Sequence, residues 1–125
     1  MCLFDPQDTI TSWVNDVNVL KQTKTVITYN KQTREPTIWK ILFVNIYNTK
    51  ILKTTTEFEF IGLSLFRNLE HPFIARGIIK KNNIVFTKIN YLYDSESNRL
   101  NYTGIITGGK LRINSRRAHG ESIPV

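Results

Sequence analysis

The chain has 125 residues, of which 41% are hydrophobic and 22% charged, a composition typical of one globular domain rather than a disordered chain. Lys and Arg exceed Asp and Glu by 17 to 10, which gives a formal net charge of +7. A single Cys excludes an internal disulfide framework, and no Cys/His cluster has zinc-binding spacing. We see no secretory signal and no membrane-spanning stretch, and therefore expect a soluble, intracellular protein without a cofactor.

The composition favours β-structure. The chain contains 16 Ile and 14 Thr but only two Ala. Ile and Thr suit a pleated surface, whereas Ala is the best helix former. AT-rich codons also favour Ile, Asn and Lys, so the positive charge has two explanations, binding of an anionic partner and codon usage.

The N-terminal third predicts one helix and two strands. Residues 8–20 place apolar side chains at helical spacing behind Asp8 or Thr9 as the N-cap. Residues 23–30 alternate as in a strand. Residues 37–47 are apolar on both faces, which predicts a strand covered on both sides, with Phe43 on the same face as Trp39. Residues 50–60 read as a strand, and residues 62–70 are ambiguous between extended chain and a short helix that ends before Pro72.

The second half predicts four strands, over residues 73–80, 84–93, 99–107 and 110–114. Gly108-Gly109 is a two-residue hairpin signal, because such turns need positive φ. We therefore expect a mainly β (or α+β) fold: a curved antiparallel sheet or partly closed barrel with an N-terminal helix. Residues 1–114 form the single predicted domain, and the periodicity stops at Ser115, which predicts a basic flexible tail over residues 115–125.

The hairpin register divides the C-terminal strands into two faces. A two-residue loop at Gly108-Gly109 and a five-residue loop at residues 94–98 would pair Tyr91 with Asn101 and Tyr93 with Arg99. The predicted buried set is then Phe86, Leu92, Leu100, Ile106, Leu111 and Ile113. The opposite, polar face carries Tyr91, Tyr93, Arg99, Lys110 and Arg112.

Our first functional hypothesis is non-enzymatic binding of nucleic acid, RNA or single strands, by this polar face. Aromatic rings stack on bases, and cations attract phosphates. Arg116 and Arg117 add a basic run just beyond the last predicted strand. A solvated sheet face has the same composition, so the pattern is not specific.

The alternative hypothesis is a small barrel that binds an apolar or aromatic ligand inside. Barrels of this size can hold one small ligand. The residues predicted to line that pocket are Trp13, Trp39, Phe43, Phe58, Phe60 and Phe86. The same residues could instead fill the core, as large apolar side chains usually do.

Catalytic patterns are weak. His71 and His119 have no nucleophile or metal partner nearby in sequence. Glu57 and Glu59 would point from one face of a strand, and this spacing is more typical of a solvent-exposed face than of a catalytic acid–base pair. We therefore favour a binding protein over an enzyme.

Overall fold

The computed structural model describes residues 16–47, 55–91 and 97–123. One helix, α1, covers residues 16–22 of this range. It is followed by eight strands: β1 Thr25–Asn30, β2 Pro36–Tyr47, β3 Thr55–Phe66, β4 Leu69–Lys80, β5 Asn83–Tyr91, β6 Ser97–Thr107, β7 Lys110–Asn114 and β8 Ala118–Ser122. No helix among these residues is long and apolar enough to span a membrane.

The eight strands form a closed barrel in which each strand is antiparallel to its neighbour in the chain. The last strand pairs with the first, from Val26–Ser122 to Asn30–Ala118. The predicted antiparallel fold is confirmed, and the sheet closes completely. We call the end at which the odd-numbered strands begin the lower end, and the end at which they finish the upper end.

Apolar side chains fill the lower half of the barrel. They alternate with outward residues along each strand, and fully buried members include Val26, Phe58, Phe60, Ile84 and Leu111. Helix α1 leads into the lower end of β1, and its Leu20 is fully buried in the same core. The N-terminal helix is confirmed over residues 16–22, whereas Trp13 and the predicted cap at Asp8 or Thr9 lie outside the described residues.

The Gly108-Gly109 hairpin has the predicted register. Ile106 pairs with Leu111, Ile105 pairs with Arg112, and the two glycines have φ of 59° and 74°. Both values lie in the left-handed region that a two-residue hairpin requires and that only glycine adopts freely.

The predicted pairing of β5 with β6 is wrong by four residues, because Tyr91 pairs with Ser97 and not with Asn101. β5 ends at Tyr91 and β6 begins at Ser97, two residues earlier than the predicted strand bounds at Tyr93 and Arg99. A shift by an even number of residues keeps each side chain on its predicted face. Phe86, Ile106, Leu111 and Ile113 are buried as predicted and Leu100 is partly buried, while Leu92 and Tyr93 lie outside the described residues.

Residues 62–70 form no helix. β3 continues to Phe66, Arg67-Asn68 makes a two-residue turn, and β4 begins at Leu69. Both turn residues have positive φ, 52° and 63°. Arg67 is an unusual residue for this conformation, and its guanidinium donates two 2.7 Å hydrogen bonds to Glu35 in the β1–β2 loop. That long-range contact stabilises a turn with no glycine.

The outer face of β2 is not covered as predicted. A β-bulge between Ile41 and Phe43 changes the alternation, so that Leu42 and Phe43 are 56% and 63% exposed. After the bulge, Val44 and Ile46 pack against the core instead. Phe43 therefore does not share a face with Trp39.

The expected flexible tail is wrong for Ala118–Ser122, which form β8. The inward positions of this strand are Ala118, Gly120 and Ser122, so no apolar alternation marks it. Gly120 is needed for close approach to β1, since a Cβ atom there would lie 1.9 Å from the carbonyl oxygen of Ile27. The seam of the barrel is therefore built from small residues.

We expect Phe86→Ala to destabilise the protein by about 3–5 kcal/mol, because it removes a buried ring and leaves a cavity among aromatic neighbours. Phe86 is 2% exposed and stacks on Tyr102 with 5.2 Å between ring centroids. Urea denaturation measures the change. Phe43→Ala is the matched control and should cost less than about 0.5 kcal/mol. Equal costs for the two variants would contradict the assignment of faces.

Candidate ligand-binding site

The upper half of the barrel contains a cavity of about 640 Å³. Its lining comes from all strands except β7, at the ends where β1, β3 and β5 finish and β2, β4, β6 and β8 begin. Eight-stranded barrels are either filled by side chains or able to hold one small ligand. This barrel does both, because its lower half is filled and its upper half is not.

Polar side chains replace the apolar core in this upper half. Alternation points them inward, and the strand pairing makes them neighbours: Thr28 pairs with Thr37, Ser64 pairs with His71, and Asn90 pairs with Asn98. No Asp or Glu is among the residues that line the cavity. Lys, Arg and amide groups supply hydrogen-bond donors here, and no carboxylate balances them.

Lys88 lies at the boundary between the polar and apolar halves. Its side chain lines the cavity, yet the residue is only 1% exposed. The Nζ atom donates a 2.8 Å hydrogen bond to Ser64 Oγ. It also lies 4.6 Å from the ring centroid of Trp39 and 4.9 Å from that of Phe73. The two rings attract a cation through their faces, but they do not replace a carboxylate.

Burial of Lys88 disfavours its charged form, and this desolvation lowers the pKa of the amine to about 7. Burial also raises the pKa of Tyr102, on the same lining, to about 12, so this phenol stays neutral at physiological pH. The inner end of the cavity therefore has an amine that changes charge near neutral pH, beside a phenol that does not.

Two buried polar atoms near Lys88 have no hydrogen-bond partner among the described residues: Trp39 Nε1 and Asn90 Oδ1. Asn90 lines the cavity, and Trp39 carries one of the rings under the amine. Buried polar groups are nearly always paired, so such orphans mark places where water or a ligand completes the bonding.

A lateral mouth opens beside β6. The pairing of β6 with β7 ends at Gly104–Ile113, and residues 115–117 turn back into β8. Ser115 holds this turn, since its hydroxyl accepts a 2.7 Å hydrogen bond from the Thr103 backbone N–H. Arg99, Arg116 and Arg117 line the mouth, and within the described part of the chain none of the three is in an ion pair.

The residues of the predicted nucleic-acid face divide into two groups. Tyr91 and Arg99 are exposed, as expected, and Arg99 borders the mouth together with Arg116 and Arg117. Lys110 and Arg112 instead lie 3.5 Å and 3.8 Å from the carboxylate of Glu121, on the neighbouring part of β8. That pairing offsets part of their charge. Tyr93 is outside the described residues.

The residues of the predicted apolar pocket are not its lining. Trp39, Phe58, Phe60 and Phe86 pack on one another in the core, with ring centroids 5.1–5.9 Å apart in the pairs Phe58–Phe60, Trp39–Phe86 and Phe58–Phe86. Phe43 is on the outer surface because of the bulge, and Trp13 is outside the described residues. The interior pocket lies in the upper half of the barrel, beyond these rings, and most of its lining residues are polar or charged.

Sequence analysis missed Lys88, Ser64 and Asn90, and assigned no role to His71, which lines the cavity. A signal for two of them was present: Ile84, Phe86, Lys88 and Asn90 occupy alternate positions of β5, all pointing inward. A Lys in phase with core residues is unusual, because lysine is almost never fully buried.

Other chemistry is not assembled in the described residues. Glu59 lies on the outer face, where the hydrogen-bonded Arg76 guanidinium lowers the pKa of its carboxyl. No group of three or more His, Cys, Asp or Glu in the described residues could hold a metal ion. Comparison with protein-family models, curated proteins and solved structures found no match to the chain.

We expect Lys88→Met to raise the melting temperature, and to do so more at pH 6 than at pH 9. Below pH 7 the folded protein must hold a buried ammonium, whereas between about 7 and 10.5 the folded state releases the proton and the unfolded state keeps it. Wild-type stability should therefore rise across this interval, and that of the variant should rise less. Calorimetry at both pH values checks this. A gain that does not depend on pH would contradict the lowered pKa.

Proposed function

We propose that the protein binds one small, anionic organic ligand in the upper half of the barrel. The observation that carries the proposal is Lys88, a buried amine on the cavity lining with no carboxylate among the lining residues. A buried cation without a counter-charge is costly, and an anionic ligand would supply that counter-charge. The ligand would complete the site rather than merely occupy space.

The cavity also favours a particular kind of ligand. Phe66, Leu100 and Tyr102 are also on the lining, and their apolar surfaces suit a planar or apolar ligand body. Ser64 and Asn90 can fix its orientation by hydrogen bonds, and the arginines of the mouth attract negative charge from solution. This revises the apolar-ligand hypothesis, since the residues that would recognise the ligand are mainly donors.

Two naphthalene dyes test the proposal. 8-Anilinonaphthalene-1-sulfonate and N-phenyl-1-naphthylamine share an aromatic body, and only the first carries a negative charge. At pH 6, where Lys88 is mostly protonated, the sulfonate should bind more tightly, at one site per chain. Lys88→Met should reduce that preference by roughly ten- to a hundred-fold, the value of one charge-assisted hydrogen bond. Fluorescence titration gives both dissociation constants.

Lys40→Met is the matched control, because Lys40 is an exposed residue on the outer face next to Trp39 and pairs with Glu70. It should leave the preference unchanged. Equal affinity for the two dyes in the wild-type protein, or a preference that survives Lys88→Met, would overturn the proposal.

Nucleic-acid binding stays a separate prediction, supported by Arg99, Arg116 and Arg117 at one edge of the barrel, which form no ion pair with any residue that the structure describes. On a labelled single-stranded oligonucleotide, replacing Arg116 and Arg117 by Gln should lower the salt slope by roughly 0.7 per lost phosphate contact. Tyr91→Ala should cost about 1–3 kcal/mol with an unchanged slope. Fluorescence anisotropy across a salt series measures the affinity and the salt slope of each variant, and Glu57→Gln is the control. An absence of binding at low salt would reject this hypothesis.

A further inference from the structure

Lys88 differs from an ordinary ion-pairing lysine in its surroundings. The amine has one hydroxyl partner, Ser64 at 2.8 Å, and two aromatic faces, and it is reached through a cavity large enough for a small organic molecule. Lysines that act as nucleophiles share these features, namely desolvation and space for a substrate at the nitrogen. A surface lysine such as Lys40 has neither.

We propose that Lys88 binds an aldehyde or ketone covalently, as an imine between Nζ and the carbonyl carbon of a small anionic ligand. This inference rests on the proposed function, and it specifies that the ligand group next to the Lys88 amine is a carbonyl. The neutral amine adds to the carbonyl carbon, and a proton moves from nitrogen to oxygen to give a carbinolamine. Loss of the hydroxyl group and the remaining N–H proton as water leaves the C=N bond. No oxidant or reductant is needed, and water reverses the reaction.

The position of Lys88 favours each stage. Burial lowers the pKa of the amine to about 7, so a large fraction is neutral and nucleophilic at physiological pH. The Ser64 hydroxyl is within hydrogen-bond distance of the reacting nitrogen and can bond the carbinolamine oxygen that forms beside it. Once the imine is protonated, the faces of Trp39 and Phe73 stabilise its positive charge.

The arginines of the mouth define the rest of the ligand. Arg99, Arg116 and Arg117 are separated from Lys88 by the cavity, so one molecule can present a carbonyl to the amine and a carboxylate or phosphate to the guanidinium groups. The ligand class is therefore a small oxo-acid or an aldehyde that carries a phosphate or carboxylate.

Reductive trapping tests the inference. The protein is incubated with 4-formylbenzoate and sodium cyanoborohydride, and the modified lysine is found by peptide mapping with mass spectrometry. 4-Methylbenzoate has a similar size and the same charge but no carbonyl, and its binding is measured in parallel by calorimetry. We expect labelling of Lys88 to be at least about tenfold faster than labelling of Lys40, because burial keeps much of the Lys88 amine neutral and the cavity holds the aldehyde beside it. Excess 4-methylbenzoate should slow the labelling of Lys88 alone.

The outcomes separate the two proposals. If 4-methylbenzoate binds and Lys88 is labelled no faster than Lys40, the covalent inference is wrong and the anion-binding function stands. If neither compound binds or labels, both are wrong. The peptide map and the 4-methylbenzoate titration of the wild-type protein together decide between them without any variant. Ser64→Ala adds a second test: labelling of Lys88 in this variant should slow several-fold more than its affinity for 4-methylbenzoate, measured on the same variant, falls.

Discussion

The pairing of β8 with β1 is the constraint on which the rest of the structure depends. Once the sheet is closed, every strand is paired on both sides along at least part of its length, and the alternation of side chains assigns every second residue to an interior of fixed width. The close approach at Gly120 sets the spacing of this seam, because the carbonyl of Ile27 occupies the space of a side chain. Closure of the sheet therefore determines which sequence positions face the interior, whatever residue type occupies them.

Within that interior, the protein uses two different chemistries along one axis. The lower half follows the usual rule that barrel interiors are filled by large apolar residues. The upper half breaks that rule with an amine, a hydroxyl and an amide that is only partly satisfied. Apolar residues at these positions would be expected to make the barrel more stable, since buried ionic groups rarely repay their desolvation. Polar residues confined to one half of a core are better explained by a binding role than by stability.

The sequence predicted the parts of the fold that local patterns encode. The two glycines at 108 and 109 specify a tight turn by themselves, and the faces of β5 to β7 followed from alternation even though the predicted pairing of β5 with β6 was wrong by four residues. The turn at Arg67-Asn68 depends on a partner 32 positions earlier, Glu35, and β8 depends on small residues that have no periodic signal. These features are set by contacts between distant segments, which a local pattern does not contain.

The candidate site was predicted only in outline, as a pocket inside a small barrel. Of the aromatic residues assigned to the pocket, Trp39, Phe58, Phe60 and Phe86 are core residues and do not line it. Hydrophobicity indicates which residues are buried, but it does not indicate where the packed core ends and a cavity begins. Lys88 was overlooked because lysine was read as surface charge. The available signal was its position two residues after Phe86, which puts both side chains on the same face of β5. That face is buried because the barrel is closed.

The one-sided cavity has a kinetic consequence. Since the lower half of the barrel is filled, any ligand would enter and leave by the lateral mouth beside β6, past the turn of residues 115–117. The 2.8 Å hydrogen bond that Lys31 Nζ donates to Asn114 Oδ1 joins the β1–β2 loop to the start of that turn, so it would act as a latch on that route. A latch that touches neither the bound nor the free ligand changes the association and dissociation rates by the same factor, and leaves the equilibrium affinity as it was. Residence time and affinity could therefore be tuned by different residues, the first at the loops and the second around Lys88.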